Sequence, residues 1–110
     1  MHVTQGSSTE LDRLPAIKLL VLERHYHFSH KVRGLIEEGL FEEADLRACI
    51  RNARDIRKIE DDELATAVDG CKYTILGHDR FGNPFYTCGK VLLREDDQQL
   101  YFFITAHEAN

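Results

Sequence analysis

The feature that most restricts this chain is a change of hydrophobic period between its two halves. Up to about residue 54 the apolar positions recur at helical spacing, as with Leu46, Cys49, Ile50 and Ala53 at i, i+3, i+4 and i+7. From 71 onward, aromatic and β-branched residues dominate three runs: CKYTILG (71–77), FYTCGKVLL (85–93) and LYFFITA (100–106). The turn formers DRFGNP and EDDQQ separate them. Connections this short join antiparallel neighbours, because a parallel return needs a crossover of about a dozen residues or more. The expected architecture is α+β, with N-terminal helices packed on one face of a C-terminal, mostly antiparallel sheet in which the three runs pair consecutively. DIRKIE at 55–60 adds a further strand if it bends or bulges, since Ile56 and Ile59 cannot share a face of a regular strand.

Within the helical half, Leu14, Lys18, Leu19 and Leu22 predict a helix over about 14–24, with Thr9 as a candidate cap and Pro15 as its start or its breaker. The run IKLLVL (17–22) is short enough to compete as a strand. Tyr26 and Phe28 then alternate with His25 and His27, and Ser29 is placed to cap a helix over 30–38. Val32, Leu35 and Ile36 form the stripe of that helix, and Gly39 suits a left-handed termination. A third helix over about 43–54 opens on Glu42, Glu43 and Asp45 and closes on Arg51 and Arg54, the order a helix dipole favours. Asp69–Gly70 and Gly82–Asn83–Pro84 read as turns.

The length of 110 residues allows one core, so residues 9–110 are read as a single domain and MHVTQGSS (1–8) as disordered or vector-derived. Three cysteines without a close pair supply neither a disulfide framework nor a zinc knuckle, which fits a reduced, cytoplasmic chain. IKLLVL is too short to span a bilayer. A net charge of −5 gives no general field for nucleic acid, so any RNA-binding surface has to be local. Glycine-rich phosphate loops, dinucleotide fingerprints, serine elbows and paired-histidine protease motifs are absent.

FSHKVRGLIEEGLFEEADL, followed by KYTILG, GNPFYTCGKV and ITAHE, resembles an uncharacterised small-domain family allied to the RelE and BrnT toxins, over about residues 26–107. That family has a short strand ending in Ser or Thr, a histidine opening a helix, a glycine nine residues on, a second helix and a hairpin sheet. His30 and Gly39 match this spacing, Lys72 and Tyr73 match the basic-aromatic start of the sheet, and Thr105 lies in the last strand. Gly34 and Glu38 stand where related sequences often carry arginines. The resemblance implies a metal-independent ribonuclease or RNA-binding domain without a cofactor. Its ligand would be RNA or the ribosome, and its partner a small antitoxin or another protein. The missing arginines and the acidic balance favour the alternative, a noncatalytic protein-interaction domain.

Imidazole exchanges protons near neutrality, which makes His30 and His107 candidate catalytic groups, with Tyr86 as a further proton donor. Lys31, Arg33, Lys72 and Lys90 are the candidate phosphate contacts. The implied mechanism requires His30 and Lys72 to meet in one cleft. A purely local reading has Ser29 capping the helix and His30 hydrogen-bonding nearby. Alternation puts Lys90 on the face of Tyr86 and Cys88, either in a groove or on a solvated surface. His25, His27 and His30 raise the question of zinc, but their spacing matches no closed site, so no metal centre is expected. Unpaired sheet edges would favour a homodimer.

Overall fold

Helix gives way to sheet where the period changes, yet the sheet is completed by a strand from the helical half. The computed structural model describes residues 13–109, and Thr9 and the 1–8 segment lie outside them. The order is α1 (13–22), β1 (Tyr26–Phe28), α2 (His30–Glu37), α3 (Glu43–Asn52), β2 (Ile56–Asp61), β3 (Cys71–His78), β4 (Pro84–Leu93) and β5 (Gln99–Glu108). IKLLVL lies inside α1, so the strand alternative fails: Ile17 and Val21, one turn apart, enter the core with Leu20 packed against it, while Leu19 and Leu22 face outward. Arg24, at φ 66°, reverses the chain into β1.

The five strands form one sheet in the order β1-β5-β4-β3-β2. β3, β4 and β5 pair consecutively and antiparallel, as their short connections require. β2 runs antiparallel to β3 with a register shift between Ile56 and Lys58, the irregularity that Ile56 and Ile59 demand. β1 pairs with β5 in parallel, Tyr26 opposite Tyr101 and Phe28 opposite Phe103. A parallel pair needs a long return, and most of the chain supplies it, so no local pattern announces this contact.

Ser29 joins β1 to α2. Its Oγ accepts from the Val32 amide at 3.1 Å and donates to the Ile104 carbonyl at 2.8 Å, capping the helix while holding it to β5. Gly39, at φ 84°, ends the helix as expected: its amide donates to the Ile36 carbonyl and that of Leu40 to the Leu35 carbonyl.

All three helices pack on one face of the sheet. Leu14, Ile17 and Val21 of α1, Val32 of α2, and Leu46, Cys49 and Ile50 of α3 meet Tyr73, Ile75, Phe85, Tyr101 and Phe103 in a single buried cluster. The α3–β3 approach is close enough that a Cβ on Gly77 would lie 2.2 Å from the Cys49 carbonyl oxygen. Beside it the Asn52 side chain donates to the His78 carbonyl at 3.0 Å and accepts from the His78 amide at 2.8 Å. The buried Asp45 carboxylate accepts from the Glu42 and Arg80 amides, tying the start of α3 to the β3–β4 turn. Burial opposes ionisation of Asp79 within that turn, but amide donors including Asn83 and Phe81 outweigh it and hold its carboxyl below the ordinary range. Among the described residues no helix is long and apolar enough to cross a membrane.

Candidate functional site

Among the described residues the other face of the sheet carries no helix, and alternate residues of four strands compose it. Lys58, Thr74, Cys88 and Thr105 stand side by side across β2, β3, β4 and β5. The neighbouring row is Leu76, Tyr86 and His107, in which the Tyr86 and His107 rings lie 5.3 Å apart between centroids. Lys72 pairs across the strands with Glu60, and Lys90 with Phe102.

At one end this face meets a cavity. β1 stops at Phe28 opposite Phe103, so among the described residues the last part of β5 has no strand on its outer side. A cavity of about 550 Å³ opens between α2, the segment after it and this free edge, lined by residues that include Lys31, Leu35, Phe41, Thr105, His107 and Glu108. That volume is in the range of small-molecule sites. His107 is exposed, and its Nδ1 lies 2.8 Å from the Glu108 carbonyl oxygen. A carbonyl can only accept, so Nδ1 carries the hydrogen in this contact, and among the described residues Nε2 has no hydrogen-bond partner.

Of the residues expected from the sequence, Lys31 and His107 come together in this cavity and Tyr86 joins them through its contact with the His107 ring. Glu108 joins them too, although side chains alternate, because the cavity lies along the strand edge. Nothing in the sequence distinguishes that glutamate from a solvated strand exit. His30 and Arg33 are exposed on α2 and do not line the cavity, while Ser29 makes the cap the local reading required. β5 and β4 lie between β1, which His30 follows, and β3, which carries Lys72. That is three strand spacings, roughly 14 Å, so these two groups form no cluster.

Lys90 requires a correction. It projects to the face of Tyr86 and Cys88 as alternation requires, but it is only 4% exposed and its Nζ lies 3.1 Å from Asp62 Oδ1. Asp62 also accepts from the amides of Thr66 and Ala67, so the loop after β2 is wound around this carboxylate and seals the lysine. Burial opposes ionisation of Asp62, but the Ala67 amide and the Lys90 ammonium outweigh it and hold the carboxyl well below the usual range. Lys90 therefore serves a buried ion pair and presents no ammonium to a phosphate.

Cys49 and Cys88 are not activated as nucleophiles. Burial pushes the Cys49 thiol up to about 11, and burial also raises that of Cys88 despite the nearby Thr74 hydroxyl and Lys72 ammonium. Among the described residues no three metal-ligating side chains are grouped to hold an ion. Comparison of the chain with protein-family models, curated proteins and solved structures returned no match in any of the three.

Proposed function

We propose that this protein is a toxin-like RNA-binding domain that cleaves RNA without a metal at the cavity between α2 and the free end of β5. The observation that carries the reading is the meeting of Lys31 and His107, remote in sequence, in one cavity where the His107 Nε2 is free. In the proposed step the 2′-oxygen of RNA attacks the adjacent phosphorus and its proton passes to His107 Nε2. The bond from phosphorus to the 5′-oxygen breaks, and that oxygen takes a proton from the Tyr86 hydroxyl. The products are a 2′,3′-cyclic phosphate and a 5′-hydroxyl. Lys31 offsets the charge that develops on the phosphoryl oxygens. Thr74, Thr105 and Lys58 on the adjoining open face would contact flanking nucleotides. The choice of RNA as ligand rests on the resemblance of the sequence to the RelE and BrnT-like pattern. The competing reading, a noncatalytic protein-interaction domain, gains from the sealing of Lys90, which removes one of the expected phosphate contacts.

The test is cleavage of a panel of structured and single-stranded RNAs in the presence of a chelator, with product ends identified by mass spectrometry. His107→Ala should lower the rate by about 10²-fold or more at unchanged circular dichroism and melting temperature. Lys31→Ala should weaken binding and slow cleavage, and His30→Ala should leave both as they are. Cleavage that ignores His107→Ala would reject the site. An RNA panel neither bound nor cut would shift the assignment to protein interaction.

A further inference from the structure

On the opposite side of the molecule from the sheet's open face, α1 and α3 enclose a second groove, of about 540 Å³. Its floor is apolar, from Pro15, Leu19, Val21 and Leu22, and its cationic groups are Lys18, Arg24, Arg47 and Arg51. Among the described residues no carboxylate lines it. In a chain of net charge −5 this is a local reversal of sign. Leu19 and Leu22 are 52% and 72% exposed, an unusual investment of large apolar side chains on a helix whose other face already fills the core.

The fold accounts for part of this charge but not for all of it. Lys18 Nζ donates to the Arg51 and Ala53 carbonyls at 2.7 and 2.6 Å, so it closes the C-terminal end of α3 and holds the two helices at this spacing. Arg47 is shared with Glu43 and the Tyr26 hydroxyl. Arg24 and Arg51 make no ion pair among the described residues. Arg24 is set beside the groove by the left-handed turn that ends α1.

From this juxtaposition we infer that the α1–α3 groove is a docking site for an acidic amphipathic helix of a partner protein. Positions 15, 18, 19 and 22 of α1 line about two turns of groove, and Arg47 and Arg51 stand one turn apart on α3. A helix lying along them would bury apolar residues at i, i+3 or i+4, and i+7 against Leu19 and Leu22. Carboxylates one turn apart on its flank would face Arg47 and Arg51, and a further one would face Arg24. The apolar floor supplies affinity, and the cations set which helix is accepted and in which direction it lies.

Selection from a displayed library of helical peptides, against the full chain, tests this. The enriched sequences should carry the apolar i, i+3/i+4, i+7 pattern flanked by glutamate or aspartate, and binding should weaken as salt rises. The double variant Arg24→Glu/Arg51→Glu and the single variant Leu22→Asp should each weaken the selected peptide by about tenfold or more. All three positions are exposed, so circular dichroism should show the parent fold and RNA cleavage should be unaffected, while the acidic side chains placed at the C-terminal ends of α1 and α3 should lower the melting temperature by no more than about 5 °C. No enrichment, enrichment of basic or uncharged helices, or equal binding by the variants would overturn the proposal. So would a parent dimer in analytical ultracentrifugation that Leu22→Asp abolishes, which would make a second copy the occupant. Amide shifts of residues 1–12 that respond to Leu22→Asp would assign the groove to the chain's own N-terminal segment and overturn it equally.

Discussion

Strand β4 meets a different environment on each of its faces. Inward, Phe85 and Thr87 are fully buried, and Gly89 lies so close under Tyr101 that a Cβ would fall 2.5 Å from the ring. Outward, Tyr86 and Cys88 are half-buried and uncovered, while Lys90, two residues further along the same face, is sealed by the loop around Asp62. Alternation decides which way each side chain points, but what lies over it is decided by remote segments. One face is therefore intolerant of change everywhere, and the other is tolerant except where a loop has been folded onto it.

The harshest way to probe that difference is Gly77→Ala on the helix-covered face. The obstacle at 2.2 Å is the backbone carbonyl of Cys49, which no rotamer change relieves, so α3 has to move off β3. Urea unfolding should show a loss of about 3 kcal/mol or more. A loss no larger than that of an ordinary surface substitution would mean that α3 is loosely held and that the two faces are not so unlike.

Asp62→Asn comes next, because it leaves the Lys90 ammonium buried without its counter-charge. The melting temperature should fall by about 10 °C. Lys90→Met should cost less, since Asp62 keeps its amide donors. The pH dependence has a definite sign. Asp62 has a lower pKa folded than unfolded, so its contribution is complete above the ordinary carboxylate range, about pH 4, and is lost as pH falls through the folded value. The parent should lose stability on acidification below about pH 4, and Asp62→Asn should flatten that part of the profile.

Lys72→Ala sits at the small end. It lies on the uncovered face opposite Glu60, and thermal unfolding should register a change of no more than about 0.5 kcal/mol. An effect as large as that of Asp62→Asn would reveal a cover over the open face and erase the comparison.

The same division explains how far the sequence could be read. Ser29 as a cap, Gly39 as a helix end and the irregular strand at Ile56–Ile59 were legible because each depends on neighbours a few residues away. So were the consecutive pairings of β3, β4 and β5, which follow from loops too short for any other return. The β1–β5 pair and the Asp62–Lys90 bridge were not, since neither partner carries a mark of the other. Of the candidate site, His107, Lys31 and Tyr86 were named from their chemistry. Their convergence depends on where β1 stops, and Glu108 enters the cavity for the same reason.

The pairing of β1 with β5 also sets a schedule for biosynthesis. Ser29 bonds to a carbonyl 75 residues later, and Tyr26 finds its strand partner only in β5, which is translated after the other four strands of this sheet. A nascent chain can wind its helices early, but Tyr26, Phe28 and the Val32 side of α2 have no sheet to rest on until β5 has left the ribosome. Throughout that interval the apolar side of α2 and the β1 strand stay uncovered, while α3 can already rest on β3. The growing polypeptide is thus an obvious client for a holding chaperone, and premature termination before β5 would leave a species destined for proteolysis rather than a smaller working domain.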